Sequence, residues 1–263
     1  MSALVIGEEC LDRFVYGKSE RLCPDIPVPV FIPEKTEENR GMAGNVYNNF
    51  VSLSLETYHH RLVTPIETII KERYVDRQTN YTFLRVDRND RVQPISFIGS
   101  DLNRKRLSSY EAIVIVDYGK GFLNESAIEH ICSLNENVFL DTKKALGDFC
   151  KKAKIIKMNS PEFERVKNEI KLEDWKDKLI VTLGEKGCMY LRGGDASGFH
   201  YYSTDSVEVF DAAGAGDTFL AALVVKYLGT KNMDAAIKFA NNKSKEVVQQ
   251  KGVSVIYETE RAK

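Results

Sequence analysis

The sequence lacks any run of about 20 consecutive apolar residues, the length that a membrane-spanning helix needs. Its short apolar start turns acidic at Glu8 and Glu9, without the basic segment that opens a signal peptide. The formal net charge of -1 gives no electrostatic reason to expect nucleic acid or an anionic membrane as a partner. We therefore expect a cytoplasmic protein whose 263 residues form a single domain, residues 1–263.

Cysteine spacing excludes two further classes of protein. The five cysteines are scattered along the chain and include no C-x-x-C pair. An odd number with such spacing argues against a disulfide framework and against a zinc site. The adjacent His59 and His60 have no spaced histidine partner, so a metal site there is not expected either. Reduced thiols in the cytoplasm are the expected state.

Short apolar runs alternate with helical patterns along most of the chain. The runs cover residues 4–6, 113–116, 138–140, 155–156 and 179–181, and each ends at a polar or glycine residue: Gly7, Asp117, Asp141, Lys157 and Thr182. Helical patterns cover residues of about 44–55, 125–134, 217–227 and 233–250. A further helix is predicted to start at Ser160, with that residue as its N-cap. Runs that are apolar on both faces are typical of parallel strands covered by helices. The pattern predicts an α/β fold: a three-layer, doubly wound, mostly parallel sheet that binds ligands beyond the carboxyl ends of its strands.

Two strand-like stretches, residues 28–33 and 81–86, do not fit this alternation. They predict a small antiparallel sheet outside the main one, with lid segments near 14–33 and 72–98. A lid over the substrate and a plain edge hairpin are both compatible with this pattern.

The strongest functional signal is the glycine-rich segment 211–219 (DAAGAGDTF), which lies between a strand-like stretch and an apolar helix. Small residues at a helix N-terminus let backbone N–H groups converge on one anion. An acidic residue beside such a site makes sense if Asp217 takes a proton from a hydroxyl that attacks a phosphate. The alternative is a glycine turn that Asp217 caps without chemistry. Phe219 occupies the third glycine position of a dinucleotide fingerprint, and a Walker A sequence is absent.

This segment resembles the signature of the ribokinase-like (PfkB) carbohydrate kinases. Further resemblance, closest to the heptose 7-phosphate kinase branch, is carried by residues 5–17 (VIGEECLDRFVYG), 19–30, 40–46 (RGMAGNV), 117–121 (DYGKG) and 141–143 (DTK). Met42 stands where the family usually has a second glycine. The family normally has a longer segment between residues 55 and 85, so this chain is expected to lack about one β-α unit.

The resemblance implies a role for several residues. Asp217 would be the catalytic base, and the backbone of Ala213, Gly214, Ala215 and Gly216 would form the anion hole. Asp12, Gly41, Gly44 and Asn45 would contact the sugar; for Asp12 a surface or capping role is the alternative. Lys143, at a strand end, would either steady phosphate charge or be an ordinary surface lysine.

The nucleotide side is implied by a second set of matches. These are Asn159, Glu162, Thr182, Gly184, Gly187 and Asn241, together with a turn at Gly252. Asn159 and Glu162 match a motif that acts on Mg²⁺ and phosphate, largely through water, although helix capping explains the same residues. ATP, Mg²⁺ and a monovalent cation are the cofactors that the family makes possible, and a homodimer paired through the lid is its usual assembly.

The sequence therefore predicts an ATP-dependent kinase for a small-molecule sugar or sugar phosphate. The heptose branch points to the 1-hydroxyl of a heptose 7-phosphate, in the synthesis of an ADP-heptose precursor of surface polysaccharide. Two alternatives stay open: another ribokinase-like sugar or sugar-phosphate kinase, and a catalytically weak sugar- or nucleotide-binding protein.

Overall fold

The computed structural model describes residues 2–54, 59–97, 102–194, 198–205, 207, 209 and 212–249. The strands in these ranges are β1 Ser2–Gly7, β2 Glu9–Lys18, β3 Ile32–Met42, β4 His59–Val63, β5 Ile69–Asp76, β6 Thr82–Arg88, β7 Ala112–Asp117, β8 Val138–Thr142, β9 Ile155–Asn159, β10 Leu179–Thr182, β11 Cys188–Leu191 and β12 Phe199–Tyr202. The α-helices are α1 Ala43–Leu53, α2 Arg104–Ser109, α3 Glu125–Leu134, α4 Ser160–Val166, α5 Ala215–Thr230 and α6 Met233–Val248. Short 3₁₀ turns lie at Asp148–Cys150, Leu172–Trp175 and Gly184–Lys186.

The main sheet has the strand order β12-β11-β10-β9-β8-β7-β1-β4. Neighbours from β4 to β10 run parallel, whereas β11 and β12 are antiparallel additions at one edge. The five predicted apolar runs form the five central strands, so the predicted mostly parallel sheet is confirmed.

Two hydrophobic cores cover the two faces of this sheet. Leu4 and Ile6 of β1 belong to one core, which includes residues of α2, α3 and α4. Ala3 and Val5, the alternate residues of the same strand, belong to the other core, which α1, α5 and α6 fill. This alternation follows from the two-residue period of a strand, and it produces the predicted three layers.

The second sheet has the order β3-β2-β5-β6. It is mixed rather than antiparallel, because β2 pairs with β5 in parallel while the two outer pairs are antiparallel. The prediction of a strand at 81–86 is confirmed by β6, but the prediction at 28–33 is wrong except at its end, where β3 begins at Ile32. Pro27, Pro29 and Pro33 have no backbone N–H for a ladder, and only an isolated bridge joins Leu22 to Pro29.

The cap of α4 differs from the prediction, whereas the start of α1 lies within one residue of it. Asn159, not Ser160, caps α4, because its side chain accepts a hydrogen bond from the backbone of Glu162 while the Glu162 side chain accepts one from the backbone of Asn159. Helix α1 begins at Ala43, after Met42 in a left-handed conformation. No helix of the described chain is both long and apolar enough to cross a membrane.

Candidate active site

Asp217 lies in the first turn of α5 and is buried. Its Oδ2 accepts a hydrogen bond of 2.9 Å from the amide of Asn45 in α1, and its Oδ1 accepts one of 2.9 Å from the hydroxyl of Tyr118. Burial raises the pKa of Asp217 above its ordinary value, although the hydrogen bonds from Asn45 and Tyr118 act in the opposite direction. Hydrogen bonds to both oxygens thus fix the orientation of the carboxyl group, and burial increases its affinity for a proton.

The turn before Asp217 has the conformation that its small residues allow. Gly214, the residue before α5, has a φ of 82°, in the left-handed region that glycine adopts without a steric cost. The hydroxyl of Ser244 in α6 donates to the carbonyl of Ala215 at 3.0 Å and ties the start of α5 to its neighbour. The first N–H groups of an α-helix have no intrahelical acceptor, so this end of α5 suits an anion. Asp211 of the glycine-rich segment and the predicted turn at Gly252 lie outside the described residues.

Lys157 is the cation nearest to this turn that sequence reasoning did not assign. A methyl group placed on Gly216 would lie 2.9 Å from Nζ of Lys157. The same ammonium forms a buried ion pair of 2.6 Å with Asp141 and interacts electrostatically with Asp217 and Glu162. Burial, the largest single influence, would lower the pKa of Lys157, but the charge and hydrogen bond of Asp141, together with the charges of Asp217 and Glu162, raise it by more, so the lysine stays charged. The sequence indicated this role only in that Lys157 ends an apolar strand, at the edge of the sheet where ligands bind in folds of this class.

Tyr118 connects Asp217 to two lysines. Its ring lies 5.5 Å from Nζ of Lys71 on β5 and 5.2 Å from Nζ of Lys143, distances typical of cation–π contacts. Burial raises the pKa of its hydroxyl well above the ordinary value, and the charge of Asp217 raises it further. The hydroxyl therefore remains a hydrogen-bond donor to Asp217 at any physiological pH.

Glu8, which also escaped sequence reasoning, holds the segment that contains Tyr118. The fully buried carboxylate accepts hydrogen bonds from the backbone N–H groups of Tyr118 at 2.8 Å, Lys120 at 3.1 Å and Phe122 at 3.1 Å. An acidic residue directly after a buried parallel strand was the only local signal for this role.

The predicted sugar-side residues meet where the second sheet joins the main one. Asp12 is buried, and its Oδ1 accepts a hydrogen bond of 2.6 Å from Arg73 on β5. A methyl group on Gly41 would lie 2.1 Å from Oδ2 of Asp12, so only glycine allows this approach of β3 to the carboxylate. Asn45 contacts Asp217, and Gly44 is buried in the same first turn of α1. The structure therefore places Asn45 in direct contact with Asp217, Gly44 beside Asn45 in the same helical turn, and Gly41 against Asp12.

Met42 occupies a backbone conformation that side chains rarely adopt. Its φ is 58° and its ψ is -129°, and its side chain is buried. Residues outside the favoured regions cost of order 1–3 kcal/mol and persist only where the surroundings hold them. The position where the family usually has glycine thus keeps a glycine-like backbone here.

A cavity of about 180 Å³ opens beside the glycine-rich turn. Four residues predicted for the nucleotide side line it, namely Thr182, Gly184, Gly187 and Asn241, together with Ala215 and Gly216 of the turn. Val207, Val209, Phe219 and Val248 add apolar surface, which suits a flat aromatic ring. The amide of Asn241 donates to the carbonyl of Tyr202 at 3.0 Å, so one of its donors holds the wall of this cavity together.

Asn159 and Glu162 form a capping box rather than an open metal site. Glu162 accepts a hydrogen bond of 2.8 Å from the backbone of Asn159 and forms an ion pair with Lys143. Among the described residues, no three His, Cys, Asp or Glu side chains are placed to share a metal ion. Each carboxylate oxygen of Glu162 keeps a lone pair, which fits an ion that retains its own waters and contacts the protein through them.

Comparison with known proteins assigns the chain to a family. The model of the pfkB family carbohydrate kinases matches residues 66–260. The chain belongs to this family. Among curated relatives, the bifunctional protein HldE of Aliivibrio fischeri (strain MJ11) is 31% identical over 303 aligned positions, which cover 99% of this chain and 63% of that protein. The chain thus spans less than two thirds of the length of that relative.

Solved structures of the same fold include two ribokinases. The enzyme of Thermotoga maritima superposes with a TM-score of 0.71 at 14% identity, covering 95% of this chain and 94% of that one. The Arabidopsis thaliana ribokinase, solved in complex with ribose and ATP, gives a TM-score of 0.68 at 15% identity, covering 95% and 93%. The expected ribokinase-like fold, with a main sheet and a smaller second sheet, is confirmed.

Proposed function

We propose that this pfkB family protein transfers the γ-phosphoryl group of ATP to the anomeric 1-hydroxyl of a heptose 7-phosphate, a step in the synthesis of ADP-heptose precursors. The observation that carries the kinase chemistry is the position of Asp217, between a helix N-terminus that suits an anion and the side chains of Asn45 and Tyr118. The heptose is supported by the resemblance of segments 5–17, 40–46, 117–121 and 141–143 to the heptose 7-phosphate kinase branch.

In this mechanism Asp217 removes the proton of the accepting hydroxyl as its oxygen attacks the γ-phosphorus. The new O–P bond forms while the bond from phosphorus to the β–γ bridging oxygen breaks, and ADP leaves. Backbone N–H groups of residues 213–216 receive the charge on the equatorial oxygens of the transferred group. Lys157, directly behind Gly216, adds a fixed positive charge on the same side.

The remaining groups take supporting roles. Asp12 binds sugar hydroxyls, Gly41 lets the backbone approach the sugar, and the cavity lined by Thr182 and Asn241 accepts the nucleotide base. Asn159 and Glu162 would hold Mg²⁺ through its waters, and the ion would supply positive charge to the phosphates of ATP. The raised pKa of Asp217, caused first by burial, suits a residue that must accept a proton in the transition state.

The experiment is phosphoryl transfer from Mg-ATP to a panel of sugars and sugar phosphates, read by mass spectrometry. A heptose 1,7-bisphosphate is the expected product. Asp217→Asn should lower kcat by about 10²–10⁴-fold and leave ATP binding intact, because the base is lost but the turn remains. The matched control is Asp148→Asn at an exposed position, which should leave kcat unchanged.

Other outcomes separate the alternatives. Product formation with a different sugar, lost in Asp217→Asn, would identify another ribokinase-like kinase. ATP binding without any product would identify a binding protein that kept the pocket. Full turnover by Asp217→Asn would reject the assignment of the base.

A homodimer paired through the second sheet is part of the same proposal. Large apolar side chains are exposed on this sheet and on the segment before β3, namely Leu22, Ile26, Val28, Ile32, Tyr81 and Leu84. Exposed apolar side chains grouped in this way are typical of protein–protein contacts. Light scattering should give twice the mass of 29.8 kDa, and Leu84→Glu should shift the protein towards the monomer.

A further inference from the structure

One face of the second sheet carries an unusual set of charges, and we call it the inner face. Strand register places Asp12 opposite Lys71, Lys71 opposite Asp87, and Arg73 opposite Arg85. Residues in register, and those two positions apart on a strand, project to the same side. The charged residues that the inner face carries on β2, β5 and β6 therefore include Asp12, Lys71, Arg73, Arg85 and Asp87, and the neighbouring β3 adds Glu37 opposite Phe14.

The inner face looks towards the catalytic centre. Lys71 lies over the ring of Tyr118, whose hydroxyl donates to Asp217. Cys10, on the same side of β2 as Asp12, interacts electrostatically with both Asp12 and Asp217. A sugar held between Asp12 and Asp217 would thus lie against this face.

Arg73 and Arg85 form a directly opposed pair of like charges on antiparallel strands. Such pairs are destabilising unless an anion lies between or beside them. Arg73 donates one hydrogen bond of 2.6 Å to Asp12, and Arg85 donates two, of 2.7 and 2.8 Å, to Asp87. Each guanidinium has five N–H donors, so the pair keeps donors that these carboxylates do not use.

The position of Arg73 and Arg85 suits contact with the end of a sugar acceptor that lies away from Asp217. Arg73 lies two residues beyond Lys71 along β5, which is about 6.6 Å in a strand. This offset is comparable with the span of a sugar ring. An acceptor that presented a hydroxyl to Asp217 beside Lys71 would therefore have its other end near the arginine pair.

We propose that Arg73 and Arg85 bind the phosphate that the acceptor already carries, so that the inner face selects phosphorylated over neutral sugars. The inference rests on the proposed function and names the residues that decide its substrate class. Two guanidinium forks on one phosphate give bidentate, charge-assisted hydrogen bonds, which a neutral sugar cannot form.

The test compares kcat/KM for a sugar phosphate and for the same sugar without phosphate. Arg85→Gln should lower kcat/KM for the sugar phosphate by about 10- to 100-fold, the effect of losing one or two hydrogen bonds to a charged group, and should leave the neutral sugar unaffected. Arg85→Gln with Asp87→Asn should show the same loss, which excludes repulsion by an unpaired Asp87 as its cause. Arg88 lies on the opposite side of β6, where it contacts Glu72, and Arg88→Gln is the matched control.

An equal effect of Arg85→Gln on both sugars, or no effect on either, would overturn the inference while the proposed function stands. If the wild-type protein transfers phosphate to no sugar phosphate, the proposed function fails instead. Calorimetric titration with the sugar phosphate in the absence of ATP then still decides the inference. Binding that Arg85→Gln weakens and Arg88→Gln does not would support it, and equal binding by all three proteins would reject it.

Discussion

The hydroxyl of Tyr118 donates a hydrogen bond of 2.9 Å to Oδ1 of Asp217. Tyr118 directly follows β7, whereas Asp217 lies in the first turn of α5, 99 positions later in the sequence. The bond stabilises the ionised carboxylate in a place where burial favours the protonated one. Tyr118 is therefore a positioning residue whose removal should change the titration of the base.

Tyr118→Phe should shift the acid limb of the pH profile of kcat/KM to higher pH. Asp217 must be ionised to accept a proton, and without this donor its pKa, which burial already raises, rises further. At neutral pH kcat should fall by about 10- to 100-fold, the order expected for a lost hydrogen bond to a charged group. The exposed Tyr81, changed to Phe, is the control. An unchanged acid limb would mean that Tyr118 has only a structural role.

Lys157→Met should destabilise the protein by about 3–5 kcal/mol, because it leaves the buried carboxylate of Asp141 without its cation. The measurement is the free energy of unfolding by urea. Adding Asp141→Leu should recover much of that loss, since both charges are then gone, but it should not recover activity. Lys18→Met, at an exposed ion pair with Glu20, should change stability by less than about 1 kcal/mol. A Lys157→Met protein as stable as the wild type would contradict the prediction.

Glu8→Gln should lower the free energy of unfolding by about 1–3 kcal/mol. The amide NH₂ of glutamine cannot accept, so one of the three backbone N–H groups held by Glu8 loses its acceptor in a buried site. Turnover should fall as well, because the segment that carries Tyr118 loses a contact. Glu129→Gln, at an exposed position of α3, is the matched control. Equal stability of the two variants would show that the N–H groups find other acceptors.

At position 42, replacement by glycine should leave the protein more stable than replacement by alanine, which is the reverse of the usual order. Both Met42→Ala and Met42→Gly remove the buried side chain, but only glycine adopts a φ of 58° without strain. Met42→Gly should therefore be the more stable of the two, by about 1 kcal/mol in thermal or urea unfolding. At Met158, which lies in a regular strand, alanine should be the better replacement. A Met42→Ala protein as stable as Met42→Gly would argue against the strained backbone.

The parts of the fold that the sequence predicts are those with local signals. Runs such as 113–116 are short and apolar on both faces, which is typical of buried parallel strands, and the small residues before Asp217 favour a turn into a helix. In contrast β3 is exposed and polar along most of its length, and it is a strand because β2 pairs with it. The residues of β3 alone do not indicate that it pairs with β2.

The sequence can indicate a site residue when the role of that residue depends on its neighbours in the chain. Glu8 and Tyr118 are 110 positions apart, so their contact depends on how the sheet is assembled. The Lys157–Asp141 pair joins the ends of adjacent strands, and the pattern of either strand alone does not reveal it. The roles assigned to Asp12, Asn159, Glu162 and the nucleotide side stay predictions until they are tested.

The bond between Asn45 and Asp217 spans 172 positions, which has a consequence for the nascent chain. A growing polypeptide presents Asn45 long before it presents Asp217, since α1 leaves the ribosome well ahead of α5. Contacts of such separation form slowly because a long loop must close first. On the proposed function we expect turnover to begin only after α5 has been synthesised and packed beside α1, so that its onset during synthesis would report the closing of the whole fold.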